Sequence, residues 1–255
     1  MILDDIDARL RRAVLNNADW CHAVCAAHGL PGDVRDGGAV WASAARTPPL
    51  YPDAITLDAS ATAEDVLPAI DTDGSGCSVK DSFARLDLED AGFEVIVEAQ
   101  WIHRPAGTPV ATAGDGGDGA ASGGGRADAL LWSRVSSPQE LVDWEAAWGG
   151  GESTGLFRPE LLLRKDIAFL AGRSGGRIVA GAVGGRGSGV VGVSNVFTAD
   201  EDRADAVWAA VLAEVTALWP GADVVGYESG EDLDAALRHG FAPLGPLRVW
   251  LSRTG

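Results

Sequence analysis

The sequence predicts a mixed α/β protein, an α+β mixed sheet built in two halves, and three observations lead there. Short β-rich runs alternate with helix-patterned runs along the chain. A glycine-rich stretch over residues 105–127 divides it. The two halves also close alike, on a helix-like run, a Gly-Phe pair (Gly92-Phe93, Gly240-Phe241) and a strand ending in Trp101-Ile102 or Trp250-Leu251. Self-similarity on this scale points to a duplicated unit. The plainer reading is that helix, glycine, strand is a common way to leave a helix.

In the first half, residues 1–104, a helix is expected from Asp4 to His28, with a break near Asn16 and Asn17. Gly29 and Pro31 stop it. Val40–Ala44 and Ala54–Leu57 read as strands on either side of a proline-stiffened connection at Thr47-Pro48-Pro49. Ser60 or Thr62 caps a helix to Ile70, Cys77–Val79 is a short strand, and Asp81 opens a helix that ends at Gly92. Phe93–Ile102 is a long strand.

The stretch PAGTPVATAGDGGDGAASGGGR, from Pro105 to Arg126, offers little apolar surface in return for the backbone entropy that glycine loses on ordering. It reads as a flexible linker. No Gly-Lys-Ser/Thr follows the glycines and no strand leads into them, so they do not read as a phosphate loop.

In the second half, residues 128–255, Leu130–Val135 is a strand. Ser137-Pro138-Gln139-Glu140 starts a helix with a cap, a first-position proline and an early acid. That helix carries Leu141, Trp144, Glu145 and Trp148 at helical spacing. A short helix at Pro159–Leu163 follows. Then come three β-rich runs, Ile167–Ala171, Ile178–Gly184 and Val190–Phe197, separated by glycine-rich hairpin turns. Arg203–Trp219 is a helix, Val224–Tyr227 a strand, Glu231–His239 a helix and Leu247–Leu251 a last strand.

Twenty basic against 37 acidic residues leave a formal net charge of −17. That field repels nucleic-acid phosphates and anionic lipid headgroups, so neither is an expected partner, and it steers cationic acceptors inward. Cys21, Cys25 and Cys77 are too few for a disulfide framework. The N-terminus has no signal-peptide pattern and no apolar run is long enough to cross a bilayer, so the expected location is the cytoplasm.

The second half thus has the order β-α-α-β-β-β-α-β-α-β. Its closing Ala235-Ala236-Leu237-Arg238-His239-Gly240-Phe241 also matches a familiar helix–Gly–Phe ending. It resembles the GNAT superfamily of acyl-CoA-dependent N-acyltransferases, with the first half as a smaller, partial GNAT-like unit. The resemblance implies an acetyl-CoA or related acyl-CoA co-substrate, direct transfer to a small-molecule or peptide amine, and no metal. It also implies a coenzyme pyrophosphate held at the turn after the fourth strand. There, Val196, Phe197 and Thr198 lead to Arg203, Ala204, Asp205, Ala206 and Val207. Arg203 stands where the family has its arginine, while Ala204, Ala206 and Trp208 stand at the three glycine positions, beside Asp200, Asp202 and Asp205. Ala236 occupies the place of the tyrosine that many members use as an acid.

In this family the fourth and fifth strands splay, which implies that Ser194, Asn195 and Val196 face Tyr227, Glu228 and Ser229. Acyl transfer to an amine needs a base, an oxyanion donor and an acid for the thiolate. Glu228, a backbone amide near Asn195 and Tyr227 take these roles in turn. The departures at the turn support a second reading, a catalytically degenerate GNAT-like protein that binds a ligand or another protein. A homodimer is open on either reading. Lys80-Asp81-Ser82 is the first half's counterpart of Tyr227-Glu228-Ser229, read either as a polar edge of a shared pocket or as a capped helix start. Cys21, Cys25 and His28 share a helix face and read as core packing or, less simply, as zinc ligands.

Overall fold

The computed structural model describes residues 2–73, 76–110 and 130–253. Helix α1 (Ile2–Ala27) runs unbroken through Asn16 and Asn17. After it come β1 (Asp33–Arg35), β2 (Val40–Ala42) and β3 (Ala54–Thr56). Helix α2 is one turn, Ala63–Val66, opened by a Thr62–Asp65 capping box. Strand β4 (Ser78–Asp81) leads into a loop, where the sequence suggests a helix to Gly92. The Asp81 carboxylate accepts from the amides of Phe83 (3.3 Å) and Leu86 (2.8 Å), and Ala84 turns left-handed at φ 51°. Side-chain capture of nearby amides competes with the helix, and it delivers Leu86 and Leu88 to the core. Strand β5 (Phe93–Arg104) ends the first half.

The second half comprises β6 (Leu131–Arg134), α3 (Pro138–Gly149), a 3-10 turn at Pro159–Leu163, β7 (Ile167–Ser174), β8 (Arg177–Gly187) and β9 (Val190–Thr198). Then come α4 (Ala204–Leu218), β10 (Val224–Glu228), α5 (Gly230–Arg238) and β11 (Ala242–Ser252). The Ser137 side chain accepts from the Glu140 amide as its position predicts. Residues 105–110 of the expected linker are held close, the carbonyls of Thr108 and Pro109 accepting from Arg104 at 2.8 and 2.9 Å. The remainder, 111–127, lies outside the described residues.

The eleven strands of the described residues form one sheet, in the order β1-β2-β3-β4-β11-β5-β10-β9-β8-β7-β6. The halves exchange their last strands. β5 pairs with β10 of the second half, and β11 pairs with β4 of the first, both antiparallel. The pattern reads alike from the middle outward: each half has one parallel pair, β3 with β4 and β9 with β10, flanked by antiparallel neighbours. Gly92 and Gly240 share a φ of 84°. Ala99 and Leu247, each seven residues further on, pair with one another. Trp250, from the second half, packs in a core built by the first, while Trp101 sits in a core to which both halves contribute.

Alternation along the strands feeds two cores. Ile167, Phe169 and Ala171 of β7 face α1 and α3, whereas Ala168 and Leu170 face α4. Trp144, on α3, sits edge-on to Phe157, Phe169 and Phe197 at 5.1–5.5 Å. Trp208 is buried against Phe241 on the opposite face. No helix among the described residues is long and apolar enough to cross a membrane.

Candidate active site

Strands β9 and β10 pair in parallel only at Val191–Val224 and Gly192–Val225. Beyond that point β9 stays with β8 and β10 stays with β5, so the two part company. The gap opens into a cavity of about 350 Å³. Its walls are Ser194, Asn195 and Val196 on one side and Gly226, Tyr227 and Glu228 on the other. The counterpart gap in the first half is bridged, the Ser82 amide donating to Thr56 Oγ1 at 2.8 Å.

Helix α1 closes the cavity with Asn16, Asn17, Trp20 and Cys21. It approaches closely because Gly192 has no side chain; a Cβ there would stand 2.0 Å from Asn16 Oδ1. Asn16 Nδ2 donates to the carbonyls of Gly185 (3.0 Å) and Gly187 (3.2 Å), tying the helix to the β8–β9 hairpin.

Strand β9 carries a bulge at this point. Val183 pairs with Ser194 but Gly181 pairs with Phe197, leaving Asn195 and Val196 without a register partner between them. Asn195 is left-handed at φ 53°, a region asparagine enters more readily than most residues. Bulges re-aim backbone groups beside active sites.

On β10, the Tyr227 ring lies edge-on to Trp101, centroids 5.4 Å apart. Its hydroxyl accepts from Lys80 Nζ at 3.3 Å. Lys80 comes from β4 of the first half, and its ammonium also donates to Asn17 Oδ1 at 2.8 Å. Burial pulls Lys80 toward the neutral amine, but Tyr227 and Cys21 outweigh it and leave its pKa above the ordinary lysine value. Next to Tyr227, the Glu228 carboxyl is pushed up to about 8, first by burial and then by the charge of Asp232. Such a group accepts a proton more readily than an ordinary carboxylate.

The turn after β9 lies apart from this cavity. Of the eight residues assigned to coenzyme binding, Val196 lines the cavity, while Phe197, Thr198 and Arg203 to Val207 do not. Asp200 pairs with Arg203 at 3.2 Å, and Asp205 lies 3.0 Å from Arg238 and 3.4 Å from His239. These pairings neutralise acids that would otherwise face an anion at the start of α4. Val207 and Trp208 point into the core, so the tryptophan at the third glycine position does not fill the turn. Ala236 is fully buried.

A sheet that is antiparallel through β6–β9, parallel and splayed at β9–β10, and antiparallel again beyond, with α4 between the splayed strands in sequence, decides the architecture. The chain has the GNAT fold. Solved structures agree. A GCN5-related N-acetyltransferase from Kribbella flavida superposes with TM-score 0.60 at 16% identity, over 97% of this chain and 96% of that one. A structure from Novosphingobium aromaticivorans DSM 12444 assigned to the GNAT family gives 0.52 at 17%, over 92% and 96%. A conserved protein of unknown function from Staphylococcus epidermidis ATCC 12228 gives 0.51 at 13%, over 70% and 72%. No family model matches the sequence. No curated protein does either. At these identities the GNAT likeness is one of fold. The first two superpositions run through both halves.

Sequence reasoning brings Asn195, Val196, Tyr227 and Glu228 to one cavity, where the structure has them. It does not foresee Asn16, Asn17, Trp20 or Tyr51 there. Two adjacent asparagines midway along a long helix, beside the small and apolar residues of its buried face, are the usable signal, since amides in such a place need partners. Of the cysteine–histidine set, Cys21 is on the cavity wall and Cys25 is buried. His28 Nε2 donates to the Leu156 carbonyl at 2.7 Å. Among the described residues no His, Cys, Asp and Glu group is placed to hold a metal.

Proposed function

We propose that the protein is an N-acyltransferase that moves an acyl group from acetyl-CoA, or a related acyl-CoA, directly to an amine. The observation that carries this reading is the opening between β9 and β10, where the β9 bulge, Tyr227 and Glu228 converge on one cavity. The pantetheine arm would enter between the splayed strands, with the pyrophosphate toward the first amides of α4. Asp200 and Asp205 at this turn are engaged with Arg203 and Arg238, which lessens the acidic charge opposing an anion there.

The chain's own residues then divide the work. An acceptor ammonium gives one proton to Glu228. The freed nitrogen attacks the thioester carbon, and the carbonyl oxygen, gaining charge, accepts from a backbone N–H at the bulge near Asn195 or Val196. The carbon–sulfur bond breaks as Tyr227 gives its proton to the leaving thiolate. The surplus proton on the new amide nitrogen returns to the Tyr227 oxygen. Calorimetric titration of acetyl-CoA and coenzyme A tests the reading. Micromolar binding of both, followed by turnover that falls in Glu228→Gln, is expected. Absence of heat and of thermal shift at millimolar ligand would leave a GNAT-fold binding protein instead.

A further inference from the structure

Lys80 provides the cation among the described residues that line the cavity, and Glu228 the carboxyl. The Lys80 side chain is buried, with 4% of the residue exposed. Lysine is almost never so deeply buried unless it is paired. Yet its described partners are neutral: the Asn17 amide oxygen, the Tyr227 hydroxyl and the Tyr227 ring, whose centroid lies 4.5 Å from Nζ. No carboxylate pairs with it among the described residues. An ammonium has three donors, and these two oxygens take two of them. The third is left for an arriving anion, which would also bring the counter-charge that these partners lack.

We propose that Lys80, with the Asn17 amide beside it, is a carboxylate subsite, and that the acceptor is a small amine bearing a carboxylate, an amino acid or close relative. Its carboxylate rests on Lys80 and its amine reaches Glu228. The amine's place rests on the acyltransferase reading; the carboxylate subsite does not. The chemistry of the two ends is complementary, cation to carboxylate and carboxyl base to ammonium. A zwitterion has no net charge, so the field of a −17 chain does not repel it as it would a simple anion. The sequence expectation of a cationic acceptor is thereby narrowed: cationic at the reacting end and anionic at the other. The same subsite would also suit the far carboxylate of a dicarboxylic acyl group, so the two sources must be separated by experiment.

The experiment is a calorimetric titration of amino acids and their matching carboxamides into the full chain, followed by turnover with acetyl-CoA and with succinyl-CoA. Amino acids are expected to bind at least about tenfold more tightly than their carboxamides. In Lys80→Met, which keeps the side chain's length, that ratio should fall toward one. The acid-to-amide comparison is made in the unaltered protein, so it stands even if the variant does not fold. Equal binding of acids and amides, or no binding of either, overturns the proposal. So does a Lys80-dependent preference for succinyl-CoA without acid-to-amide discrimination, which moves the carboxylate to the acyl group. A Lys80-dependent preference for acids with no acyl transfer to any amine keeps the subsite and rejects the acyltransferase.

Discussion

Gly192→Ala is a sharp test of how α1 is seated over the cavity. A methyl group at that position would meet Asn16 Oδ1 at 2.0 Å, far inside contact distance. The amide must swing away, and with it go the hydrogen bonds to Gly185 and Gly187 at 3.0 and 3.2 Å. Two such bonds are worth about 1–3 kcal/mol, and a buried amide left short of partners adds about 1–3 more. Partial relaxation of the helix brings the expected loss to about 2–4 kcal/mol. In a chain of this length that lowers the melting temperature by about 5–15 °C. Gly185→Ala is the matched control: a Cβ there meets nothing within 4 Å, so its stability should stay within about 0.5 kcal/mol of the parent. Thermal and urea melts of both variants measure the difference. If Gly192→Ala melts with its control, α1 is not held to the hairpin by Asn16 and the cavity roof is wrongly described.

Four further outcomes follow from the site and its support. With the Glu228 carboxyl at about 8, kcat/KM should rise with pH through that value, and the step should vanish in Glu228→Gln. Because the folded carboxyl titrates above its ordinary 4.5, folding is favoured below 4.5 and loses stability as pH climbs to about 8, so Glu228→Gln should gain on the parent across that window in pH-dependent melts. Tyr227→Phe keeps the ring against Trp101 but removes the acid and one oxygen partner of buried Lys80, so steady-state kcat should fall about 10–1,000-fold and stability should drop by about 1–3 kcal/mol, both read in kinetics and thermal melts. Glu145 accepts from the amides of Thr154, Leu156 and Phe157, which outweigh burial and hold its carboxyl below the usual range. Its contribution is present above pH 4.5 and lost as the pH falls, so Glu145→Gln should cost about 2 kcal/mol in urea melts at pH 7 and less in acid.

The second half is legible in the sequence because its strands alternate cleanly and glycine pairs mark its hairpins. Tyr227 and Glu228 follow from the strand that ends there. What the local pattern hides is long-range. Asp81 looks like a helix cap, since an acid before a mixed run is the usual start signal; only the Leu86 and Leu88 pockets show why a loop is favoured. Asn16 and Asn17 look like a break because their partners lie far along the chain. Lys80 is visible as a polar residue at a strand end. Its meeting with Tyr227 depends on which strand fills the centre of the sheet, and periodicity carries no information about pairing between distant strands.

The exchange of β5 and β11 sets the order in which the molecule can be completed. During synthesis β4 and β5 emerge long before β11 exists, so both must wait with bare backbone edges, the kind of edge that invites wrong partners. Neither half can close its sheet alone, although each contains most of a fold. The last eleven residues of ordered strand therefore act as a zipper pull for the entire chain: their arrival joins β4 to β5 and brings Lys80 within reach of Tyr227. Assembly of the cavity therefore waits on the pairing of β11, which makes that strand a checkpoint on whether a functional molecule exists at all.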